Sequence, residues 1–146
     1  MTHAEEADRL SRRRARMLPM LALFFVVQQA SFFVEGSGGA AERTVDHVKL
    51  GAWLLLSGVL LAALWTGGFW LRKREVRALM DDEITRAHRA AALSVGFLVA
   101  MLAAIGLYLL DMFEPITSRM AIHLIVTAGI AAALLRFGLL ERRALG

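Results

Sequence analysis

The longest polar segment inside the chain lies between two pairs of long apolar runs. This segment spans residues 71–89 and reads LRKREVRALMDDEITRAHR. An apolar run of about 20 residues is long enough for a helix that crosses the hydrocarbon core of a bilayer. The pattern therefore predicts an all-α integral membrane protein, in which two helical hairpins form a four-helix bundle around a central loop.

Composition supports a single membrane domain over residues 1–146. Apolar residues make up 58% of the chain and the mean hydropathy is +0.56, while the charged residues are confined to the ends and connections. A soluble domain of this size needs polar residues along every element. The chain has no cysteine, which excludes disulfides, thiolate metal sites and thiol nucleophiles.

We expect the following segments from the apolar runs and their borders. A polar amphipathic tail occupies residues 1–16, and a loop occupies residues 72–89. Pro19 suits the first turn of the first span and Pro115 that of the fourth, because proline lacks the N–H that a first turn does not use. The four expected spans cover about residues 17–34, 48–71, 90–110 and 116–135.

The first apolar run has a second interpretation, a cleaved signal peptide. Basic residues precede the run, and small residues follow it at positions 38–41. The run is long for a signal peptide and contains Gln28 and Gln29. These features favour a retained transmembrane helix.

The distribution of basic residues predicts the orientation. Of the 17 Lys and Arg residues, only Arg43, Lys49 and Arg119 lie in the two short connections. All the others lie in the N-terminal tail, the central loop and the C-terminal end. Because basic residues are retained on the cytoplasmic side, we expect both termini and the central loop in the cytoplasm of an inner-membrane, multi-pass protein.

Small residues recur at four-residue spacing, which places them on one face of a helix. Small side chains let helix backbones approach closely in lipid. The ladder on the third span predicts a packed interface, and shorter sets occur on the second and fourth spans. The predicted packing residues are Gly58, Ala62, Ala92, Gly96, Ala100, Ala104, Gly129 and Ala133.

Polar side chains inside the spans are the candidates for function, because such groups are costly in lipid. Gln28, Gln29, Tyr108 and His123 fall at a similar depth in the predicted outer leaflet. This layer could hold a quinone head group, a haem or another polar ligand. The alternative, which we favour, is that Gln28 and His123 bond to each other and hold the bundle together.

A structural role accounts for the acidic residues of the central loop. Its candidate contact residues for partners or anionic lipid are Arg74, Arg77, Asp81, Asp82, Glu83 and Arg86. The acidic residues suit the start of the third helix. With two hairpins around a cytoplasmic loop, and with Asp82, Glu83 and Ala91, the chain resembles small four-helix prokaryotic inner-membrane proteins of unassigned function. The resemblance implies the architecture and no activity.

Together these patterns predict a protein that is not an enzyme and carries no cofactor or metal. We expect an accessory or regulatory subunit, or a homo-oligomer, that contacts membrane lipid or other membrane proteins. The alternative is a redox or ligand-binding subunit. Bis-histidine haem is disfavoured because only His123 lies within a span. A small exporter is disfavoured because no carboxylate lies within the first span, and the basic residues suit membrane insertion better than nucleic acid.

Overall fold

The computed structural model describes residues 3–34, 42–66 and 83–144. Four helices account for nearly all of these residues: α1 (His3–Val34), α2 (Glu42–Thr66), α3 (Glu83–Asp111) and α4 (Ser118–Ala144). The expected all-helical class with four helices is confirmed. The central-loop residues Arg74, Arg77, Asp81 and Asp82 lie outside the described residues.

Three of the helices are long and apolar enough to cross a membrane. They are Val48–Thr66 within α2, the whole of α3, and the whole of α4. Over the described residues, α1 is not among these candidate spans. The three long apolar helices indicate that this is a membrane protein.

The helices extend beyond the spans expected from the apolar runs. The polar tail and the first apolar run form one continuous helix, so Pro19 lies inside α1 and not in its first turn. Helix α3 begins at Glu83, so that Glu83 and Arg86 belong to the helix and not to the preceding loop. Helix α4 continues to Ala144. Arg, Glu and Ala flank the apolar runs, and these good helix formers continue the helices past them.

A tight connection joins α3 to α4. The Asp111 carboxylate accepts a hydrogen bond from the backbone N–H of Ile116 at 2.7 Å. Thr117 caps the start of α4, because its hydroxyl accepts the N–H of Met120 at 3.3 Å. Pro115 therefore lies in the connection and not in the first turn of α4. The predicted helical hairpin is formed, with Thr117 as its cap.

Helix α4 is the central helix of the bundle and packs against each of the other three. Against α3, Gly96 meets Gly129 and Ala133 so closely that a Cβ at Gly96 would lie 2.7 Å from the Gly129 carbonyl oxygen. Against α1, a Cβ at Gly138 would lie 2.7 Å from Cδ of Pro19. Both crossings depend on the absence of a side chain on one helix.

The predicted packing residues divide into two groups. Ala92, Gly96, Gly129 and Ala133 face the α3–α4 contact, with Ala100 beside Gly129 and Ala104 half-buried. Gly58 and Ala62 are both exposed, and nothing described lies within 4 Å of a Cβ at Gly58. The sequence did not distinguish a helix of the same chain from one of another chain as their neighbour, so their packing role stays a prediction. Helix α2 instead turns larger side chains inward, including Trp53, Leu60 and Leu64, and its small residues consequently face outward.

Candidate functional site

A cluster of polar side chains joins three helices at one end of the bundle. Arg14 of α1 donates a hydrogen bond to Glu141 near the end of α4, and the two side chains form a buried ion pair. The Arg14 guanidinium also reaches the Thr85 hydroxyl at 3.5 Å. Nδ1 of His88 lies 3.4 Å from the second carboxylate oxygen of Glu141. We call Arg14, Thr85, His88 and Glu141 the ion cluster.

Burial makes the ion cluster energetically important. The side chains of Arg14 and Glu141 are only 7% and 6% exposed. Removing two charges from water is costly, and their mutual attraction offsets that cost only when hydrogen bonds also satisfy the remaining polar atoms. Here Thr85 and His88 supply such contacts, and the Arg14 guanidinium lies 5.2 Å from the centre of the Phe137 ring. The cluster therefore connects α1, the start of α3 and the end of α4.

A second polar contact at this end compensates for the proline inside α1. Pro19 has no N–H, so the carbonyl of Ala15, four residues earlier, loses its helical hydrogen bond. Nε of Arg142 donates to that same carbonyl oxygen at 3.1 Å. Arg142 of α4 thus takes the place of the missing backbone donor, and the proline creates a point of attachment between α1 and α4.

If Arg142 compensates for Pro19, the cost of replacing Arg142 should depend on whether residue 19 is proline. We expect Arg142→Met to lower the free energy of unfolding by about 1–2 kcal/mol, because the Ala15 carbonyl loses a charged donor. In a Pro19→Ala background the backbone N–H at position 19 can bond that carbonyl, so the same change should cost under about 0.5 kcal/mol. Denaturation in mixed micelles measures both values, with Arg143→Met, an exposed neighbour, as the control. Equal costs in the two backgrounds would contradict the assignment.

A separate polar layer lies in the other half of the bundle. The rings of Trp53 on α2 and His123 on α4 are stacked, with centroids 4.5 Å apart. One turn further along each helix lie Ser57 and Thr127, and both are buried. Among the described residues, Trp53 Nε1, Ser57 Oγ and Thr127 Oγ1 have no hydrogen-bond partner. We call Trp53, Ser57, His123 and Thr127 the polar layer.

The structure separates the residues that the sequence had grouped at this depth. His123 and Gln29 are buried. Gln28 is exposed and so is Tyr108, whose side chain is 72% exposed. The His123 ring is stacked on Trp53, and the bond expected between Gln28 and His123 stays a prediction. Adjacent glutamines point about 100° apart on a helix, so only one of them can face the interior.

Sequence reasoning missed the ion cluster, and of the polar layer it had singled out only His123. Arg14 had entered the sequence argument only as one of the basic residues of the N-terminal tail. The available signals were Glu141, an isolated acid between an apolar run and two arginines, and Ser57, a hydroxyl inside an apolar run. Neither signal identifies its partner, because the partners lie on other helices.

The described residues limit the chemistry of these sites. They contain no group of three or more His, Cys, Asp or Glu side chains that could hold a metal ion. His88 belongs to the ion cluster near the end of α4, whereas His123 lies near the start of α4. These two histidines therefore do not lie at the same level to ligate one haem. What the arrangement offers is hydrogen-bond donors in an apolar interior.

Comparisons with known proteins give no further constraint. No protein-family model, curated protein or solved structure matches this chain.

Proposed function

We propose that this chain is a non-catalytic, multi-pass inner-membrane protein that works as a homo-oligomer or as an accessory subunit of a membrane complex. The observation that carries the proposal is the surface of α3. Only 6% of its most apolar stretch is buried within the bundle. Large apolar side chains cover the rest, with Phe97 at 67% and Leu102 at 59% exposed. Such a surface needs lipid or another apolar helix against it.

The proposed orientation has both termini and the central loop in the cytoplasm, with α1 as the fourth span. The charge distribution supports it. The ion cluster is consistent with it, because Arg14, the start of α3 and the end of α4 meet at one end of the bundle. An even number of spans is needed for the two termini to share a side.

Topology mapping tests this orientation. We expect reporter tags at residue 1, within the loop at residues 71–89, and at residue 146 to report the cytoplasm. A tag inserted after Gly38 should report the opposite side, since few basic residues lie in that connection. A central loop on the outside would contradict the whole arrangement. A mature protein lacking its first forty or so residues would remove only α1 as a span, in favour of a cleaved signal.

Cysteine cross-linking tests the assembly. Because the chain has no cysteine, Leu98→Cys or Leu102→Cys introduces a single thiol on the exposed face of α3. In native membranes we expect oxidation to produce disulfide-linked dimers, or a bifunctional reagent to produce one discrete larger adduct. Ala133→Cys, at a buried position facing α3, is the matched control and should give neither. Monomer at every exposed α3 position would contradict the assembly.

A second candidate function is a ligand-binding membrane subunit. The observation that favours it is the polar layer, where buried donors on α2 and α4 have no hydrogen-bond partner among the described side chains. Buried polar groups without partners are costly and mark the places where a ligand or ordered water would be bound.

A further inference from the structure

We propose that the outer face of α4, near its C-terminal end, binds the phosphate of an anionic phospholipid, with Arg136 as the main contact and Arg143 as the second. The proposal rests on the membrane residence in the proposed function and names the class of lipid. Three features of this face support it: an arginine outside the ion pairs, a second arginine two turns away, and exposed leucines around them.

Arg136 stands apart from the arginine of the ion cluster. Both described ion pairs at this end are made by Glu141, with Arg14 and with His88. Arg136 is half-buried, and among the described residues its buried Nε has no hydrogen-bond partner. A guanidinium stays charged and has several N–H donors in one plane, which match the oxygens of a phosphate. In apolar surroundings such a group needs an anionic acceptor.

The position of Arg136 along α4 puts it at the border of the apolar part of the bundle. The long apolar run of α4 ends with Leu135. Arg136 follows the contact of Ala133 with Gly96 by three residues and precedes Glu141 of the ion cluster by five. It therefore lies roughly 7–8 Å below the ion cluster along the helix axis. A long arginine side chain at this depth extends towards the lipid head groups.

The same face of α4 carries both arginines and an exposed apolar surface. Ala132, Arg136, Leu139 and Arg143 recur at spacings of four, three and four residues, which places them on one side of the helix. Leu139 is 46% exposed and Leu135 is 42% exposed, while Arg143 is exposed as well. A soluble anion has nothing to place against the leucines. A phospholipid offers a phosphate to the arginines and acyl chains to the leucines.

The charge around this face favours a lipid with a net negative charge. The acids among the described side chains of this end are Glu83 and Glu141, and Glu141 is already paired. Exposed arginines lie on all three helices that meet here, and they are Arg9, Arg12, Arg13, Arg16, Arg86, Arg142 and Arg143. Such a basic surface attracts anionic lipid. A zwitterionic lipid is attracted less, because its own ammonium offsets the charge of its phosphate.

Native mass spectrometry of the full chain in detergent micelles tests the proposal. Dioleoylphosphatidylglycerol or dioleoylphosphatidylcholine is added in steps, and the bound lipids are counted at each concentration. We expect the first phosphatidylglycerol to bind about tenfold more tightly than phosphatidylcholine. Arg136→Gln should weaken that first binding about tenfold, because hydrogen bonds to a charged group are lost. Arg143→Gln, at an exposed position, should weaken it about threefold, and it gives an answer even if Arg136→Gln folds poorly.

Arg119→Gln is the matched control, because it removes the same charge from an exposed position at the other end of α4. It should leave the first phosphatidylglycerol binding unchanged. An equal loss in Arg119→Gln and Arg136→Gln would mean attraction by net charge only and would overturn the proposal, as would equal binding of the two lipids. Glycerol 3-phosphate distinguishes the sources of the phosphate: if it displaces the lipid, the site takes a soluble anion and the lipid assignment is wrong.

Alkaline extraction of membranes separates a failure of this inference from a failure of the proposed function. A chain that stays in the membrane but shows no preference for phosphatidylglycerol refutes only the lipid site. A chain that is released refutes the membrane residence on which both depend.

Discussion

Replacing Arg14 by Met, or Glu141 by Leu, is expected to lower the free energy of unfolding by about 3–5 kcal/mol, because each change leaves the other charge buried without its partner. The two side chains are 7% and 6% exposed, so water cannot replace the lost contact. This is the largest effect we expect from any single substitution in the chain. Unfolding by sodium dodecyl sulfate in mixed micelles measures it.

The double variant Arg14→Met/Glu141→Leu should recover most of the loss, because two apolar side chains of similar size leave no orphaned charge. His88, whose side chain is 20% exposed, can then bond to water. Arg16→Met, two residues away at an exposed position, is the control and should change stability by less than about 0.5 kcal/mol. If the single changes cost no more than the control, the ion cluster does not hold the helices together.

Gly96→Ala is expected to lower the free energy of unfolding by about 1–3 kcal/mol, which is the usual cost of inserting a methyl group into a filled contact. The new Cβ would lie 2.7 Å from the Gly129 carbonyl oxygen and 2.8 Å from Cβ of Ala133. Neither the backbone oxygen nor Cβ of Ala133 can rotate away. Helices α3 and α4 would therefore have to separate along their contact.

Gly106→Ala provides a matched control for Gly96→Ala on the same helix. Nothing described lies within 4 Å of a Cβ at Gly106, so the change adds only helix propensity. We expect it to be neutral or slightly stabilising in the same micelle assay. A Gly96→Ala variant as stable as Gly106→Ala would mean that α3 and α4 do not depend on close backbone approach. The two variants make the same Gly→Ala change on one helix, at a packed position and at an open one.

The two polar regions have different consequences for function. The ion cluster and the Arg142–Ala15 contact connect α1 to α4, with α3 joined through Thr85 and His88. They are explained as structural contacts, because each described charge in them has a partner. The polar layer is different, because three of its buried donors and acceptors have no partner among the described side chains. A ligand inside the bundle is therefore better sought between α2 and α4 than in the ion cluster.

Helix number, the all-helical class and the α3–α4 hairpin could be predicted from the sequence, because apolar runs of sufficient length form helices in lipid whatever their neighbours are. The α3–α4 interface could also be predicted in part, since Ala92, Gly96 and Ala100 fall on one face of any helix. The residues at which the helices end were predicted less accurately. The polar flanks of α1 and α4 continue the helices, and the apolar runs carry no signal of where that continuation stops.

Partners across the bundle depended on the tertiary structure. Gln28 and Gln29 are adjacent in sequence, and only the direction in which α1 packs makes Gln29 the buried one. Gly58 has the spacing of a packing residue, yet α2 is rotated so that Trp53 and Ser57 face inward. The pairing of Arg14 with Glu141 joins residues 127 positions apart. Periodicity specifies which residues share a face of one helix, whereas the rotation and register of that helix against its neighbours depend on side-chain packing summed over the whole bundle.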